Sequence, residues 1–169
     1  MKKTSGISVK DIALIGMMTA TIEAAKDALS ILPNVELVTL LIILYTLFFG
    51  RRILFVIPIF VILQGMLHGF GLWWFMYLYV WPILAFLTYL FRRQTSLIFW
   101  SAFSGLFGLF FGAFCSLVYL VTSGPAAALA WWVAGIPFDV LHGVSNAILC
   151  LALFKPLHFT LRKLKNAWF

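Results

Sequence analysis

Eleven of the twelve Lys and Arg residues in this chain fall into four short clusters, with apolar runs between them. The clusters are Lys2, Lys3 and Lys10; Arg51 and Arg52; Arg92 and Arg93; and Lys155 with Arg162, Lys163 and Lys165. Every second connection between apolar runs has no basic residue. Basic residues beside membrane segments are retained on the cytoplasmic side. The pattern therefore predicts an even number of crossings, six, with both termini cytoplasmic. The expected fold is an all-α integral membrane protein of one domain, 1–169. Its transmembrane helices are expected at 11–32, 36–49, 53–68, 72–91, 97–121 and 134–154, each judged against the roughly 20 apolar residues that span a bilayer. Lys26 is the one basic residue left at membrane depth, and it needs a reason to be there.

The chain is 64% hydrophobic and 10% charged, with a mean hydropathy of +1.08. A soluble domain carries about 25% charged residues, so a soluble core does not account for this composition. The net charge of +7 is held in juxtamembrane pairs with no continuous basic face. That excludes nucleic acid and points to topology signals and contacts with anionic lipid of the bilayer. The opening MKKTSGISVKD is too polar for a secretory signal and reads as a cytoplasmic lead into the first helix. Cys115 and Cys150 fall at different depths and read as packing residues. Pro33-Asn34 ends the first helix, and the second is short enough to need shielding by protein. Pro58 and Pro82 lie inside helices, which membrane bundles tolerate. The segment 122–125 with its following alanines reads as an outer connection.

With depth assigned, the acids sort as sharply as the bases. Asp11 alone is cytoplasmic; Glu23, Asp27, Glu36 and Asp139 lie between mid-membrane and the outer surface. Glu23, Lys26 and Asp27 project to one side of the first helix. Gln64 and His68 are four apart near the outer end of the third. Asp139, His142 and Asn146 descend one face of the last. Ionised groups facing lipid are costly, so these side chains should face the bundle interior or a water-filled cavity. Asn34 and Glu36 enter the second helix at the same level. Trp74, Tyr77 and Trp81 from the fourth helix and Trp132 near the last supply aromatic surface there. An interfacial belt is the alternative for this group, which includes Trp73, Tyr79 and Trp131, and Trp73 and Trp132 stay open between the two readings. Aromatic walls with a few convergent polar groups suit a small planar ligand.

Other chemistries are poorly served. No nucleophile accompanies His142 and Asp139, so the pair reads as ligand-orienting, with an intramembrane enzyme using these two residues as the rival. His68, His142 and Asp139 lack tight metal-ligand spacing, and neither a metal nor a cofactor is assigned. No GxxxxGK[ST] occurs, so ATP-driven work would have to come from partners. Ala13, Gly16, Ala20 and Ala24 form a small-residue stripe on the first helix, which allows close helix approach in lipid. Packing within the chain and docking onto a separate membrane subunit both remain open.

Taken in order, these segments resemble the substrate-binding S components of energy-coupling factor (ECF) vitamin transporters. The resemblance is carried by Gly16-Met-Met-Thr-Ala20-Thr-Ile-Glu-Ala24, Leu32-Pro33-Asn34-Val35-Glu36 and Phe49-Gly50-Arg51-Arg52. The late Pro-Phe-Asp139-Val-Leu-His142-Gly143-Val-Ser-Asn146 segment completes it, and coverage is essentially full length. The resemblance implies a multi-pass protein of the bacterial cell membrane that is not itself an enzyme. It implies capture of a vitamin in the outer half of the membrane and work with an ECF scaffold membrane subunit and two cytoplasmic ATPase subunits. The stripe at Ala13, Gly16, Ala20 and Ala24 would dock on the scaffold. The branch most resembled takes pyridoxine or hydroxymethylpyrimidine, with cobalamin or another vitamin as the rival.

Overall fold

Ser8 starts the first helix with a reciprocal cap. Its hydroxyl accepts the Asp11 N–H at 3.1 Å while the Asp11 carboxylate accepts the Ser8 N–H at 3.1 Å. The structure, a computed structural model, describes residues 7–168; Lys2 and Lys3 lie outside the described residues. These form α1 (Val9–Ala28), α2 (Val38–Phe49), α3 (Ile53–His68), α4 (Leu72–Leu90), α5 (Leu97–Leu109), α6 (Phe111–Ser123) and α7 (Pro125–Trp168), with no strand among them. A single 3₁₀ turn at Gly50–Arg52 joins α2 to α3. Gly50 sits at φ +55, a left-handed value that glycine reaches without Cβ strain, and the chain reverses there.

Four stretches are long and apolar enough to cross a membrane: Val38–His68, Leu72–Leu90, Leu97–Ser123 and Pro125–Trp168. The first contains the reversal at Gly50. α1 is not among them, because five of its twenty residues are charged.

Side-chain contacts give each helix its direction. Arg52 Nε donates to Asp11 Oδ1 at 2.6 Å and Gln64 Nε2 to Glu23 Oε1 at 2.6 Å, while His68 Nε2 lies 3.5 Å from Asp27 Oδ1. All three partners are 41 residues further along, so α1 and α3 run parallel in fixed register. α4 runs back along α3: Phe60 stacks on Tyr77 with centroids 6.4 Å apart, and Trp74 Nε1 donates to the Val61 carbonyl at 2.8 Å. α5 and α6 return, with Tyr79 Oη donating to the Phe114 carbonyl at 2.8 Å. α7 descends beside them, its Ala147 carbonyl accepting from Ser101 Oγ at 2.8 Å. It also follows α2 in parallel, through Asn146 with Thr39 at one end and His158 with Phe48 at the other. The helices thus alternate in direction. The described members of the four basic clusters gather at one end, and Glu23, Asp27, Glu36 and Asp139 toward the other.

α2 occupies the centre, with ten of its twelve residues buried. A helix of this length is about 18 Å long, well short of a hydrocarbon core of about 30 Å. Surrounding protein removes the need for it to match the lipid. Its Thr46, like Thr19 in α1 and Thr88 in α4, donates its hydroxyl to the carbonyl four residues back, which satisfies a polar group in an apolar setting. Leu54, Ile62, Phe86, Leu106 and Val121 point outward and are exposed.

The closest helix contact is a glycine seam between α5–α6 and α7. A Cβ on Gly108 would stand 2.9 Å from the His142 carbonyl, and one on Gly143 would stand 2.9 Å from the Gly105 carbonyl. Small residues let these backbones meet. The α1 stripe behaves oppositely: Ala13, Gly16, Ala20 and Ala24 are exposed, and nothing lies within 4 Å of a Cβ on Gly16. Packing inside the chain does not explain that stripe.

Several helix limits differ from the sequence expectation. Helix 1 stops at Ala28 rather than 32, and Leu29 closes it onto the Asp27 carbonyl. Asn34 takes a left-handed φ of 57, which Asn tolerates better than most residues. The expected helix 5, 97–121, is two helices broken at Phe110. The expected helix 6, 134–154, is the 44-residue α7. The alanines read as an outer connection belong to it, because Pro125 suits a first helical position and alanine propagates a helix. Gly124, at φ +87, is the actual break.

Candidate functional site

The connection 29–37, the start of α2, and one face each of α4, α6 and α7 enclose a cavity of about 260 Å³. Lys26, Asn34, Glu36, Tyr77, Trp81 and His142 all line it, as do Ser30 and Phe111. Its charge centre is Glu36. One carboxylate oxygen lies 3.2 Å from His142 Nε2, and the other accepts the Thr39 N–H at 2.8 Å, inside the first turn of α2. That N–H has no partner within the helix, and the helix dipole favours a carboxylate there. The Glu36 and His142 side chains are 15% and 6% exposed, so each replaces much of the other's lost solvation. With its proton on Nε2, His142 donates to Glu36.

Neighbouring contacts hold the pair in place. Ser145 Oγ donates to the Asn34 carbonyl at 2.8 Å, fastening the connection 29–37 to α7. Asn146 Nδ2 donates to Thr39 Oγ1 at 3.2 Å just beyond. The Phe111 ring meets the His142 ring edge-on at 4.9 Å, and Tyr77 meets Trp81 edge-on at 5.3 Å. Trp81 is 2% exposed, and its Nε1 has no hydrogen-bond partner among the described residues. A buried indole N–H without a partner costs about 1–3 kcal/mol. The cavity combines a cation (Lys26), an anion (Glu36), the His142 imidazole and flat aromatic walls.

The remaining sequence-predicted residues stand elsewhere. Glu23 and Gln64 pair across the α1–α3 seam, with Asp27 and His68 above them. Glu23, Asp27 and His68 each offer one ligand atom within 4.8 Å of the others. They are the metal-capable grouping among the described residues, and it includes neither His142 nor Asp139. Trp74 is bonded to α3, and Trp132 is half-buried near the start of α7.

Asp139 is buried on the same face of α7 as His142 and Asn146, but it does not line the cavity. Its Oδ1 accepts the Gly112 N–H at 2.9 Å, one of the amides freed where α5 breaks into α6. It caps an internal helix start, and Gly112 is the residue that admits its carboxylate, since a Cβ there would collide with Oδ2. Ser30 and Phe111 are lining residues that sequence reasoning missed, and Phe111 is the aromatic one. The signal for Phe111, a helix break at Phe110, has no Pro or Gly at that position to announce it.

No protein-family model, curated protein or solved structure matches this chain.

Proposed function

We propose that the chain is the S component of an ECF-type importer, capturing a small planar vitamin or precursor such as pyridoxine or hydroxymethylpyrimidine. In this reading six crossings, with α1 and the α2–α3 hairpin among them, place both termini and the basic clusters in the cytoplasm of a bacterium. The cavity then opens toward the outer half of the membrane. The observation that carries the proposal is the lining of the 260 Å³ cavity, which pairs Glu36 with His142 beside Trp81 and Tyr77. Pockets for drug-sized ligands measure about 300–1,000 Å³. This one suits a single substituted heteroaromatic ring, whose nitrogen and hydroxyls find Glu36, His142, Lys26 and Asn34. A corrinoid is many times larger, which argues against cobalamin. The chain has no ATP-binding loop of the GxxxxGK[ST] type, so delivery inward is assigned to the scaffold subunit and its two ATPases.

The test is a tryptophan-fluorescence titration of the purified protein with pyridoxine, hydroxymethylpyrimidine, thiamin and cobalamin. Saturable quenching by one of the single-ring compounds is expected, and Trp81→Phe should remove most of it. Quenching that persists undiminished in Trp81→Phe would put the ligand elsewhere, and no response to any compound would refute this ligand class.

Ala20→Leu tests the exposed stripe separately. It should leave the titration unchanged yet prevent co-purification with the scaffold subunit. Normal co-purification would show that the stripe faces lipid only.

A further inference from the structure

At the basic end a second cleft, about 510 Å³ in volume, lies between the end of α2, the α4–α5 connection and the last turns of α7. Arg92, Arg162 and Lys165 line it, and His158 stands among them. No side-chain carboxylate does. Of the five in the chain, Asp11 is paired with Arg52, and Glu23, Asp27, Glu36 and Asp139 lie toward the opposite end. Three cations facing one cleft without a carboxylate among its described lining residues repel one another, and an anion would relieve that repulsion.

The cleft is also built, not merely bordered by long side chains. Phe154, His158, Arg162 and Lys165 recur at helical spacing and present one face of α7. That face exists because α7 continues well past the 154 at which a crossing would end. Trp100, 1% exposed, and Phe154, 7% exposed, form an apolar floor, their rings stacked at 6.4 Å. Trp100 Nε1 donates to the Gln94 carbonyl at 3.2 Å, which fixes the α4–α5 connection. Lys165 Nζ donates to the Phe48 carbonyl at 2.7 Å, which ties α7 to the end of α2. His158 meets Phe48 edge-on at 4.7 Å.

We propose that this cleft binds a phosphate-bearing anion, with the headgroup of an anionic phospholipid as its occupant. An apolar floor under three cations matches the junction of acyl chain and phosphate, and basic pockets between helices on the cytoplasmic side take such headgroups. A free phosphate compound shares the charge chemistry but makes no use of the floor. The inference rests on the cytoplasmic placement of the basic end proposed above. It does not rest on vitamin capture, and its test needs no vitamin.

The full chain in detergent is titrated with phosphatidylglycerol, with phosphatidylcholine and with inorganic pyrophosphate, and read by native mass spectrometry. One phosphatidylglycerol should be retained per chain, in preference to phosphatidylcholine. The triple variant Arg92→Gln, Arg162→Gln, Lys165→Gln should weaken that binding on the order of 100-fold, at about fivefold per cation. The triple variant Arg51→Gln, Lys155→Gln, Lys163→Gln loses the same charge from the same end outside the cleft, and should bind normally. Equal losses in both variants, or equal retention of the two lipids, would overturn the proposal in favour of diffuse surface charge. Cleft-dependent pyrophosphate binding without phosphatidylglycerol would keep the phosphate site and reject the lipid as its occupant. Should the first triple variant elute aggregated, Arg162→Gln alone carries the test, with about a fivefold loss expected.

Discussion

His142→Ala should weaken ligand binding by about 10- to 100-fold and should also destabilise the protein more than Glu36→Gln does. The first effect comes from the imidazole of His142, a hydrogen-bonding group in the cavity wall that positions Glu36. A hydrogen bond to a charged group contributes about 1.5–3 kcal/mol. The asymmetry in stability comes from the groups each change leaves behind. His142→Ala strands a mostly buried carboxylate with only Thr39 to hold it. Breaking a buried pair from one side in this way costs about 3–5 kcal/mol. Glu36→Gln removes the charge but keeps an amide oxygen for Thr39 and a group for His142, so most of the fold energy survives. Titration of both variants and the double variant, with thermal unfolding alongside, separates these terms. Wild-type affinity in all three would move the ligand out of this cavity.

The second large effect concerns the glycine seam. Gly143→Leu should leave little folded protein, because its side chain would enter a space already closed by the Gly105 carbonyl at 2.9 Å and Leu109 Cβ at 3.1 Å. Overpacking of a tight contact costs about 1–3 kcal/mol and sometimes more. Here the whole α5–α7 contact must open, so about 3 kcal/mol is the lower end expected. The comparison is Gly16→Leu, which meets open space and should leave the unfolding midpoint within the scatter of repeats. Gel-filtration profiles and unfolding midpoints of the two variants decide the matter. A monodisperse Gly143→Leu protein with an unchanged midpoint would show that α5 and α7 do not meet backbone to backbone.

The two stripes also show how far the chain can be read unaided. Spacing such as Gly108-x-x-x-Gly112 and Gly143-x-x-x-Ala147 is visible in the sequence, as is the α1 stripe. Nothing in a spacing says which stripe is covered by its own chain. Charge order locates the polar residues at one end and the bases at the other, because membrane depth is a one-dimensional property. Position around the bundle is not. Glu23 and Glu36 lie toward the same end, yet one pairs with Gln64 on the α1–α3 seam and the other with His142 in the cavity. Helical periodicity gives a residue's face but not the neighbour that face will meet. Asp139 illustrates the limit: it shares a stripe with His142, yet its partner is an amide released by a break that no residue type marks. The alanines after Pro125 depart from expectation for a simpler reason. Low polarity and small size suit an outer connection, whereas their helix propensity decides the outcome.

The parallel register of α1 and α3 has a mechanical meaning. Three rungs, at Asp11–Arg52, Glu23–Gln64 and Asp27–His68, hold two rails at one offset. A slip of one turn, about 5.4 Å, would set Asp11 against Val56 or carry it past the start of α3, and would break the ladder as a unit. The exposed stripe lies on the far side of α1 from its buried face, so a load applied there is passed through the rungs rather than absorbed by sliding. From α3 it reaches Phe60, which stacks on Tyr77 in the cavity wall. In the proposed reading, a partner that grips α1 would hold a handle on the cavity.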